Sequence, residues 1–202
     1  MRLALTFAVL VVASPMALAS VGCNGNTSAS RSEDRAPAVS TSSVTVRPMV
    51  AWPATSSIDE RALLSLSRDG SRTDGEVRAL VSRSPVPVLA PKDGSLATPT
   101  LVVEGEYFAL TGRVDGATIS LQGTRAAHRY EGVEPVAGNR DVRAVKGFVS
   151  VNEGIRTASW IENGAAYSVD VECADHQDAR CQSDDFLLSV VTQLTYVGGS
   201  GR

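Results

Sequence analysis

The sequence predicts an α+β domain, an antiparallel sheet of about five to six strands with a C-terminal helix and two short N-terminal helices packed on one face. Three observations lead to this fold: a run of short strands joined by hairpin turns, two capped helix starts before them, and one amphipathic stretch after them. Residues 50–202 carry all of these elements and have the length of a single domain.

The two N-terminal helices are marked by capping boxes, in which a hydroxyl side chain and a glutamate three residues later satisfy free backbone N–H groups. Ser57 with Glu60 predicts the first start, and Gly70 is its expected end. Thr73 with Glu76 predicts the second start, which Pro85 ends. The apolar residues expected to pack are Ala62, Leu63, Leu64 and Leu66 in the first helix and Val77, Leu80 and Val81 in the second. Residues 85–91, rich in proline, are then expected at a sheet edge or as a surface strap.

Two favoured hairpin dipeptides, Asp115-Gly116 and Asn163-Gly164, fix the register of four strands. The first turn pairs Leu110 with Leu121 on one face and Thr111 with Ser120 on the other. The second pairs Trp160 with Tyr167 and Ala158 with Val169, which predicts an aromatic pair in the core; a sugar-binding platform is the alternative for an exposed pair. Each register places apolar side chains on one face, as a half-buried antiparallel sheet requires. Residues 100–104 and 147–151 add two more strands.

The C-terminal helix is predicted from Ser183 to the Gly198-Gly199 pair. Asp184 and Asp185 lie in its first turn, where the helix dipole favours negative charge. Its buried stripe is expected to contain Phe186, Leu187, Val190, Val191 and Leu194.

The N-terminus has the pattern of an export signal. Arg2 is followed by an apolar run over residues 3–19, which is short for a membrane-spanning helix of about 20 residues. The run ends in Ala19-Ser20-Val21-Gly22-Cys23, which resembles the lipobox of bacterial lipoproteins. The resemblance implies that residues 1–22 are a signal peptide, that Cys23 is acylated, and that the exported protein is membrane-anchored in the bacterial cell envelope, on the periplasmic side or at the cell surface. The alternative is ordinary cleavage after Ala19, which would release a soluble protein.

The three cysteines fit this interpretation. Cys173 and Cys181 are close enough in sequence to close a small disulfide loop in an oxidising compartment, which leaves Cys23 for thioether lipidation. Two free thiols are the alternative. A zinc site is disfavoured because His176 is the only histidine near these cysteines and tetrahedral sites usually need four ligands.

Residues 23–49 are predicted to form a flexible tether. From 24 to 45 the composition is dominated by Ser, Thr, Ala, Asn and Gly, with too little apolar surface to offset the entropy of ordering. Cleavage before Cys23 removes Arg2 and no acidic residue, so the mature chain has 18 basic and 22 acidic residues, a net charge of −4. This acidic balance argues against a nucleic-acid partner.

No catalytic residue, cofactor or metal site is predicted. His128 and His176 are the only histidines, and neither lies in a nucleophile motif. The acidic cluster Asp175, Asp178, Asp184 and Asp185 lacks the spacing of a calcium loop and is expected to be solvated.

The candidate binding surface is the connection over residues 125–146, which is too long for a simple turn. Basic side chains outnumber acidic ones in it, since only Glu131, Glu134 and Asp141 oppose them. The predicted anionic ligand is a lipid or glycan head group or an acidic protein surface. A merely solvated loop is the alternative. The candidate binding residues are Arg125, His128, Arg129, Tyr130, Arg140 and Arg143, with Lys146 at the end of the segment.

The sequence therefore favours a non-enzymatic, lipid-anchored cell-envelope protein that contacts the membrane through its N-terminal lipid and binds an envelope protein or an anionic ligand. One alternative is an inhibitor or accessory subunit of an envelope enzyme. Another is a hydrolase whose site assembles only in three dimensions, which requires His128 or His176 within hydrogen-bond reach of a serine or carboxylate in a cleft.

Replacing Cys23 by serine should release the protein from membranes, because the acylated thioether is the predicted anchor. Fractionation of cells that express the full-length chain measures this. Mass spectrometry of the native protein should find fatty chains on an N-terminal Cys23. Unchanged membrane retention of the Cys23→Ser chain, or an unmodified thiol at position 23, contradicts the anchor.

Overall fold

The computed structural model describes residues 43–68, 71–92, 94–134, 136–175 and 177–200. Three helices and eleven strands lie in these residues. The helices are α1 (Glu60–Ser65), α2 (Asp74–Val81) and α3 (Asp185–Thr192). The strands are β1 (Ser43–Val46), β2 (Val88–Pro91), β3 (Ala97–Glu104), β4 (Tyr107–Val114), β5 (Ala117–Thr124), β6 (Ala127–Tyr130), β7 (Arg140–Val142), β8 (Val145–Asn152), β9 (Ile155–Glu162), β10 (Ala165–Cys173) and β11 (Leu194–Gly198).

The main sheet has seven antiparallel strands in the order β3-β4-β5-β10-β9-β8-β7. It consists of two meanders, β3 to β5 and β7 to β10, joined by the pairing of β5 with β10. The α+β prediction is confirmed, but the sheet has seven strands rather than five to six. The additional strand is β7, whose three residues are too few to give a two-residue alternation in the sequence.

Both hairpin registers are as predicted from their turns. Leu110 pairs with Leu121 across β4 and β5, and Trp160 pairs with Tyr167 across β9 and β10. Asp115 and Asn163 adopt φ values of 48° and 54°, the left-handed conformation that two-residue hairpin turns require.

The inner face of the sheet carries the core, and its aromatic residues meet over a glycine. Trp160 and Tyr167 are buried and stack with ring centroids 5.5 Å apart, which confirms core packing for the predicted pair. A Cβ on Gly123 would lie 2.4 Å from Cε1 of Phe108, so only glycine fits beneath these rings. The Tyr167 hydroxyl donates to the Pro87 carbonyl at 2.9 Å, and burial raises the pKa of this phenol well above its ordinary value.

The first predicted capping box is wrong. Asp59 is the N-cap of α1 and accepts a hydrogen bond from the Ala62 N–H at 3.0 Å. Ser57 lies in a preceding 3₁₀ turn and donates to the Ala54 carbonyl. The Asp59 N–H bonds to the Tyr196 carbonyl at 2.8 Å, so a contact with β11 accompanies this start. α1 ends at Ser65, and the expected end at Gly70 lies outside the described residues.

The second capping box is confirmed. The Thr73 side chain accepts from the Glu76 N–H, while the Glu76 carboxylate accepts from the Thr73 N–H at 2.7 Å. The hydrogen bonds that the Glu76 carboxylate accepts, first from the Thr73 backbone N–H and second from the Thr73 hydroxyl, lower the pKa of Glu76. Val77 and Val81 bury one face of α2. The adjacent Arg72 donates from Nη1 to the Leu101 carbonyl on the outer strand β3 at 2.7 Å.

The C-terminal helix is shorter than predicted. α3 ends at Thr192, and residues 194–198 form β11, which pairs with the proline-rich β2 in a separate two-stranded sheet. The prediction missed this pairing because β2 and β11 are about a hundred residues apart, beyond the reach of local patterns. Leu187 and Val191 of the predicted stripe are buried, and Asp184 rather than Ser183 holds the N-cap position.

The predicted disulfide between Cys173 and Cys181 is present. It joins the end of β10 to the approach to α3. Inside this loop, Arg180 donates from Nη2 to the Asp115 carbonyl at 2.9 Å and lies 5.5 Å from the centroid of the Phe186 ring. Hydrogen bonds from Arg180 lower the pKa of Asp178 to about 2 and, in turn, raise that of Arg180. The loop is therefore tied to both the sheet and the helix.

Among the described residues, regular structure is already present before the predicted domain boundary at residue 50. Ser43–Val46 pairs with Ala127–Tyr130 as the two-stranded β1–β6 ribbon. The composition of residues 43–46 predicts a tether, because composition carries no information about the strand with which Val44 and Val46 can pair. The remainder of the predicted tether, and the signal peptide, lie outside the described residues.

Replacing Leu187 by alanine should lower the free energy of unfolding by about 2 to 5 kcal/mol, because this fully buried side chain leaves a cavity between α3 and the sheet. Urea or thermal denaturation measures the change. Leu64→Ala is the matched control, because Leu64 on α1 is 37% exposed and its loss should cost only about 0.5 kcal/mol. Equal costs for the two substitutions would contradict this assignment of the core.

Candidate functional site

The predicted binding loop over residues 125–146 is not a single loop. It contains β6 and β7, and the tight turn at Arg143 and Ala144 leads into β8. The expectation of one long connecting loop is therefore wrong. Its candidate residues are distributed over three places in the fold.

Arg125 lies at the end of the sheet that carries the turns at Glu106 and Asn163. Its Nε is 3.0 Å from Oε2 of Glu106, while Nε of Arg47 is 2.9 Å from Oε1 of the same carboxylate. The Arg125 and Glu106 atoms are buried and poorly aligned for a hydrogen bond, so charge attraction holds this contact. Two guanidinium groups thus share one carboxylate, and the three side chains carry one net positive charge.

His128, Arg129 and Tyr130 lie on β6 of the β1–β6 ribbon. Nδ1 of His128 is 3.4 Å from Oγ1 of Thr45, and the side chains of His128 and Tyr130 are exposed. The Arg129 side chain and His176 lie outside what the structure describes. His128 thus faces a threonine on an exposed ribbon rather than a catalytic partner in a cleft, so the hydrolase alternative loses one of its two candidates.

Arg140 and Arg143 lie at opposite ends of α3. Nη2 of Arg140 is 2.8 Å from Oδ2 of Asp184, at the N-cap. Arg143 makes a two-point contact with Glu162, at 2.8 and 3.4 Å, and donates to the Val191 and Leu194 carbonyls at 3.2 and 2.6 Å. Because a helix ends in carbonyls without helical partners, Arg143 holds the last turn of α3 against the sheet.

Each arginine or lysine in this segment whose contacts are described has an acidic partner. Lys146 pairs with Asp141 at 2.6 Å, as Arg125, Arg140 and Arg143 do with Glu106, Asp184 and Glu162. Binding of an anionic ligand by this segment stays a prediction. One cluster that combines a charge excess with an adjoining cavity is the Arg47–Glu106–Arg125 group, which borders a space of about 490 Å³ beside Met49 and Trp52.

The face of the sheet opposite the core, here called the open face, is mainly polar. The paired strands place Thr111, Ser120, Asp170 and Thr157 in one row across β4, β5, β10 and β9. Oγ1 of Thr157 donates to Asp170 at 2.6 Å. These side chains are exposed or half-buried, which is the pattern of a solvated sheet face.

One corner of the open face is apolar, and we call it the apolar groove. Val136, Phe148, Ile161 and Ala166 line it together with Lys146, and its volume is about 350 Å³. The side chain of Ile161 is 69% exposed and that of Phe148 is 41% exposed, because the strand register points both away from the core. Large apolar side chains gathered on an otherwise polar face often mark a binding surface.

A pair of hydrogen bonds fixes one rim of the apolar groove. Nδ2 of Asn139 donates to the Val149 carbonyl at 3.0 Å, and the Val149 N–H donates to Oδ1 at 2.9 Å. The amide of Asn139 thus continues the line of β7 along β8 as a short piece of strand would. Gly138 packs against the backbone of Gly147 so closely that a Cβ would lie 2.3 Å from its carbonyl oxygen. Val136 is thereby carried to the rim of the groove.

The sequence contained a signal for two residues of this groove. The predicted register of the second hairpin puts Trp160 inward, so Ile161 must face outward, and Phe148 precedes the inward Val149 in the same way. Val136 and Asn139 had no such signal, because the segment before β7 has no regular periodicity.

Among the described residues no group of three His, Cys, Asp or Glu side chains is arranged to hold a metal ion, and no helix is long and apolar enough to cross a membrane. In the predicted acidic cluster, Asp178 is bonded to Arg180 and Asp184 to Arg140 and Arg156. No family model, curated protein or solved structure matches this chain.

Replacing Asn139 by alanine should expose the Val149 amide on β8 and speed its hydrogen exchange. The free energy of unfolding should fall by about 1 to 3 kcal/mol, the value of two modest hydrogen bonds. Amide exchange followed by NMR and urea denaturation measure the two effects. Asn152→Ala, at the exposed end of the same strand, is the control. Unchanged exchange at Val149 would contradict the role given to Asn139.

Proposed function

We propose that this protein is a non-enzymatic binding module of the bacterial cell envelope, anchored by a lipid on Cys23, which receives a protein partner in the apolar groove of its open face. The observation that carries the proposal is the groove itself. Phe148 and Ile161 are apolar side chains placed in solvent by a register that all neighbouring strands enforce.

Export is supported by the Cys173–Cys181 disulfide, since such bonds persist in oxidising compartments and are rare in the cytosol. Of the three cysteines in the sequence, this bond uses Cys173 and Cys181, which leaves the thiol of Cys23 for lipidation. Anchoring at Cys23 places the folded part on the outer side of the cytoplasmic membrane.

The groove favours a partner that supplies apolar side chains. Its walls are aliphatic and aromatic, and Lys146 at its border is already paired with Asp141 at 2.6 Å. A protein segment with one or two large apolar residues fits this chemistry, because burying Phe148 and Ile161 removes about 1.5 to 3 kcal/mol of unfavourable exposure per side chain. An inhibitor or accessory subunit of an envelope enzyme would use the same surface, and a stable enzyme partner on co-purification would identify that case.

A photo-crosslinking amino acid in place of Ile161 should give an adduct of discrete mass in intact cells that express the full-length protein, because the position lies in the groove. The yield of the adduct should fall when the substitution Phe148→Ser is added. Phe148 is exposed, so this substitution should change the free energy of unfolding by only about 0.5 kcal/mol. Gel analysis and mass spectrometry of the adduct measure the outcome.

The crosslinker at Thr111, an exposed position elsewhere on the open face, is the matched control. Adducts of equal yield from Thr111 and Ile161, or no adduct from Ile161, would contradict the groove as the partner site.

A further inference from the structure

A second surface with exposed apolar side chains lies where the described chain begins. Residues 47–52, here called the strap, lead from β1 along one end of the main sheet. The Ala51 N–H bonds to the Asn163 carbonyl at 2.9 Å, and a Cβ on Gly164 would lie 2.2 Å from the Met49 carbonyl oxygen. The strap is therefore held against the hairpin turn between β9 and β10, and we call this end of the sheet the strap end.

The strap end is unusually rich in exposed apolar side chains. Within the described residues, five of the twelve large apolar side chains that are exposed lie in 43–49 and 130–133. Met49 is 93% exposed, although its backbone is fixed against Gly164. A single exposed apolar side chain is ordinary, but several gathered at one end of a sheet form the kind of patch that marks a binding surface. These five side chains are Val44, Val46, Met49, Tyr130 and Val133.

A basic group with a net positive charge adjoins these side chains. Arg47 and Arg125 share the carboxylate of Glu106, and the cavity of about 490 Å³ that they border also contacts Met49 and Trp52. Arginine binds phosphate oxygens through two parallel hydrogen bonds, and long basic side chains extend from apolar surroundings toward head groups. Tryptophan side chains are enriched at the boundary between lipid and water.

The position of this surface in the chain also favours a lipid bilayer as its partner. Nineteen residues, 24 to 42, separate Cys23 from the start of β1. The sequence predicts a flexible tether there, and a coil of that length has a root-mean-square reach of roughly 25 Å. A lipid on Cys23 would hold the strap end at millimolar effective concentration near the bilayer, so a weak surface contact is enough to dock it.

We propose that the strap end docks on the phospholipid bilayer, with Met49 and Val44 at the depth of the head groups and Arg47 and Arg125 on lipid phosphates. This inference rests on the anchor in the proposed function and adds an orientation to it. Strand β10 runs from the turn at Asn163, at the strap end, to Cys173 at the other end of the sheet. The end that carries the disulfide then faces away from the membrane.

The test supplies the anchor chemically, so it does not depend on acylation in cells. The chain from residue 23, which is the predicted mature protein, is coupled through Cys23 to maleimide lipid in vesicles of phosphatidylcholine, alone or mixed with phosphatidylglycerol. Brominated lipid should quench Trp52, whereas Trp160 is buried in the core and supplies a constant background. Hydrogen exchange in residues 43–50 and 127–133 should slow relative to the uncoupled chain, and more strongly with phosphatidylglycerol because of the positive charge.

Substitution pairs separate docking from general surface effects. Met49→Ser with Val44→Ser should abolish both the quenching and the protection, while Val102→Ser with Val151→Ser removes two exposed apolar side chains elsewhere and should leave both unchanged. Arg47→Gln should remove the added effect of phosphatidylglycerol, and Arg113→Gln, exposed near the opposite end of the sheet, should not.

Four results would overturn the proposal. The first two are equal losses of quenching and exchange protection in the two apolar substitution pairs, and no quenching of Trp52 in coupled vesicles. The other two are the same exchange protection from inorganic phosphate alone, and exchange protection without vesicles that grows with protein concentration. The last would assign the surface to a second copy of the chain. A docked strap end together with an unmodified Cys23 in cells would place the failure in the anchor, and a missing crosslink at Ile161 would place it in the groove.

Discussion

The pairing of β5 with β10 is the constraint on which the rest of this structure depends. It joins two meanders that neither share a turn nor follow one another directly, over a register from Thr124 with Ala166 to Ala117 with Cys173. The buried side chains of both strands, such as Leu121 and Val169, lie at the centre of the core. Since a one-residue slip would turn all of them toward solvent, this single register decides which side chains of the seven-stranded sheet are buried and which form the open face.

Polar contacts fix both ends of α3, in addition to the packing of its buried side chains Leu187 and Val191. Arg156 and Arg140 reach Asp184 at the start of α3. Arg143 reaches the Val191 carbonyl in the last turn of the helix and the Leu194 carbonyl at the start of β11. The disulfide restrains the approach to α3, and β11 continues from the other end into a pairing with β2. Several basic residues that the sequence offers as ligand-binding candidates thus also have structural contacts. The surfaces proposed for recognition are the apolar groove and the strap end.

Local patterns predicted the parts of the fold that are local. The hairpins at Asp115 and Asn163, the capping box at Thr73 and the disulfide depend on residues close in sequence, and they are confirmed. The pairings of β2 with β11 and of β1 with β6 join residues about 80 to 110 positions apart, and no short pattern encodes them. The candidate site shows the same difference between local and long-range contacts. Ile161 could be placed outward from its hairpin, whereas the contact of Arg125 with Arg47 and Glu106 needed the folded chain.

On the outer strand β3, and on the part of β8 that extends beyond the short outer strand β7, a side chain bonds to the backbone groups. Arg72 occupies the Leu101 carbonyl on β3, and Asn139 occupies the N–H and carbonyl of Val149 on β8. An unprotected strand of this kind templates the addition of further chains, and the hazard rises when many copies are confined to a plane. For a protein concentrated on a membrane, these two residues would act against lateral polymerisation into fibrils, so the copies can crowd together and still remain separate molecules.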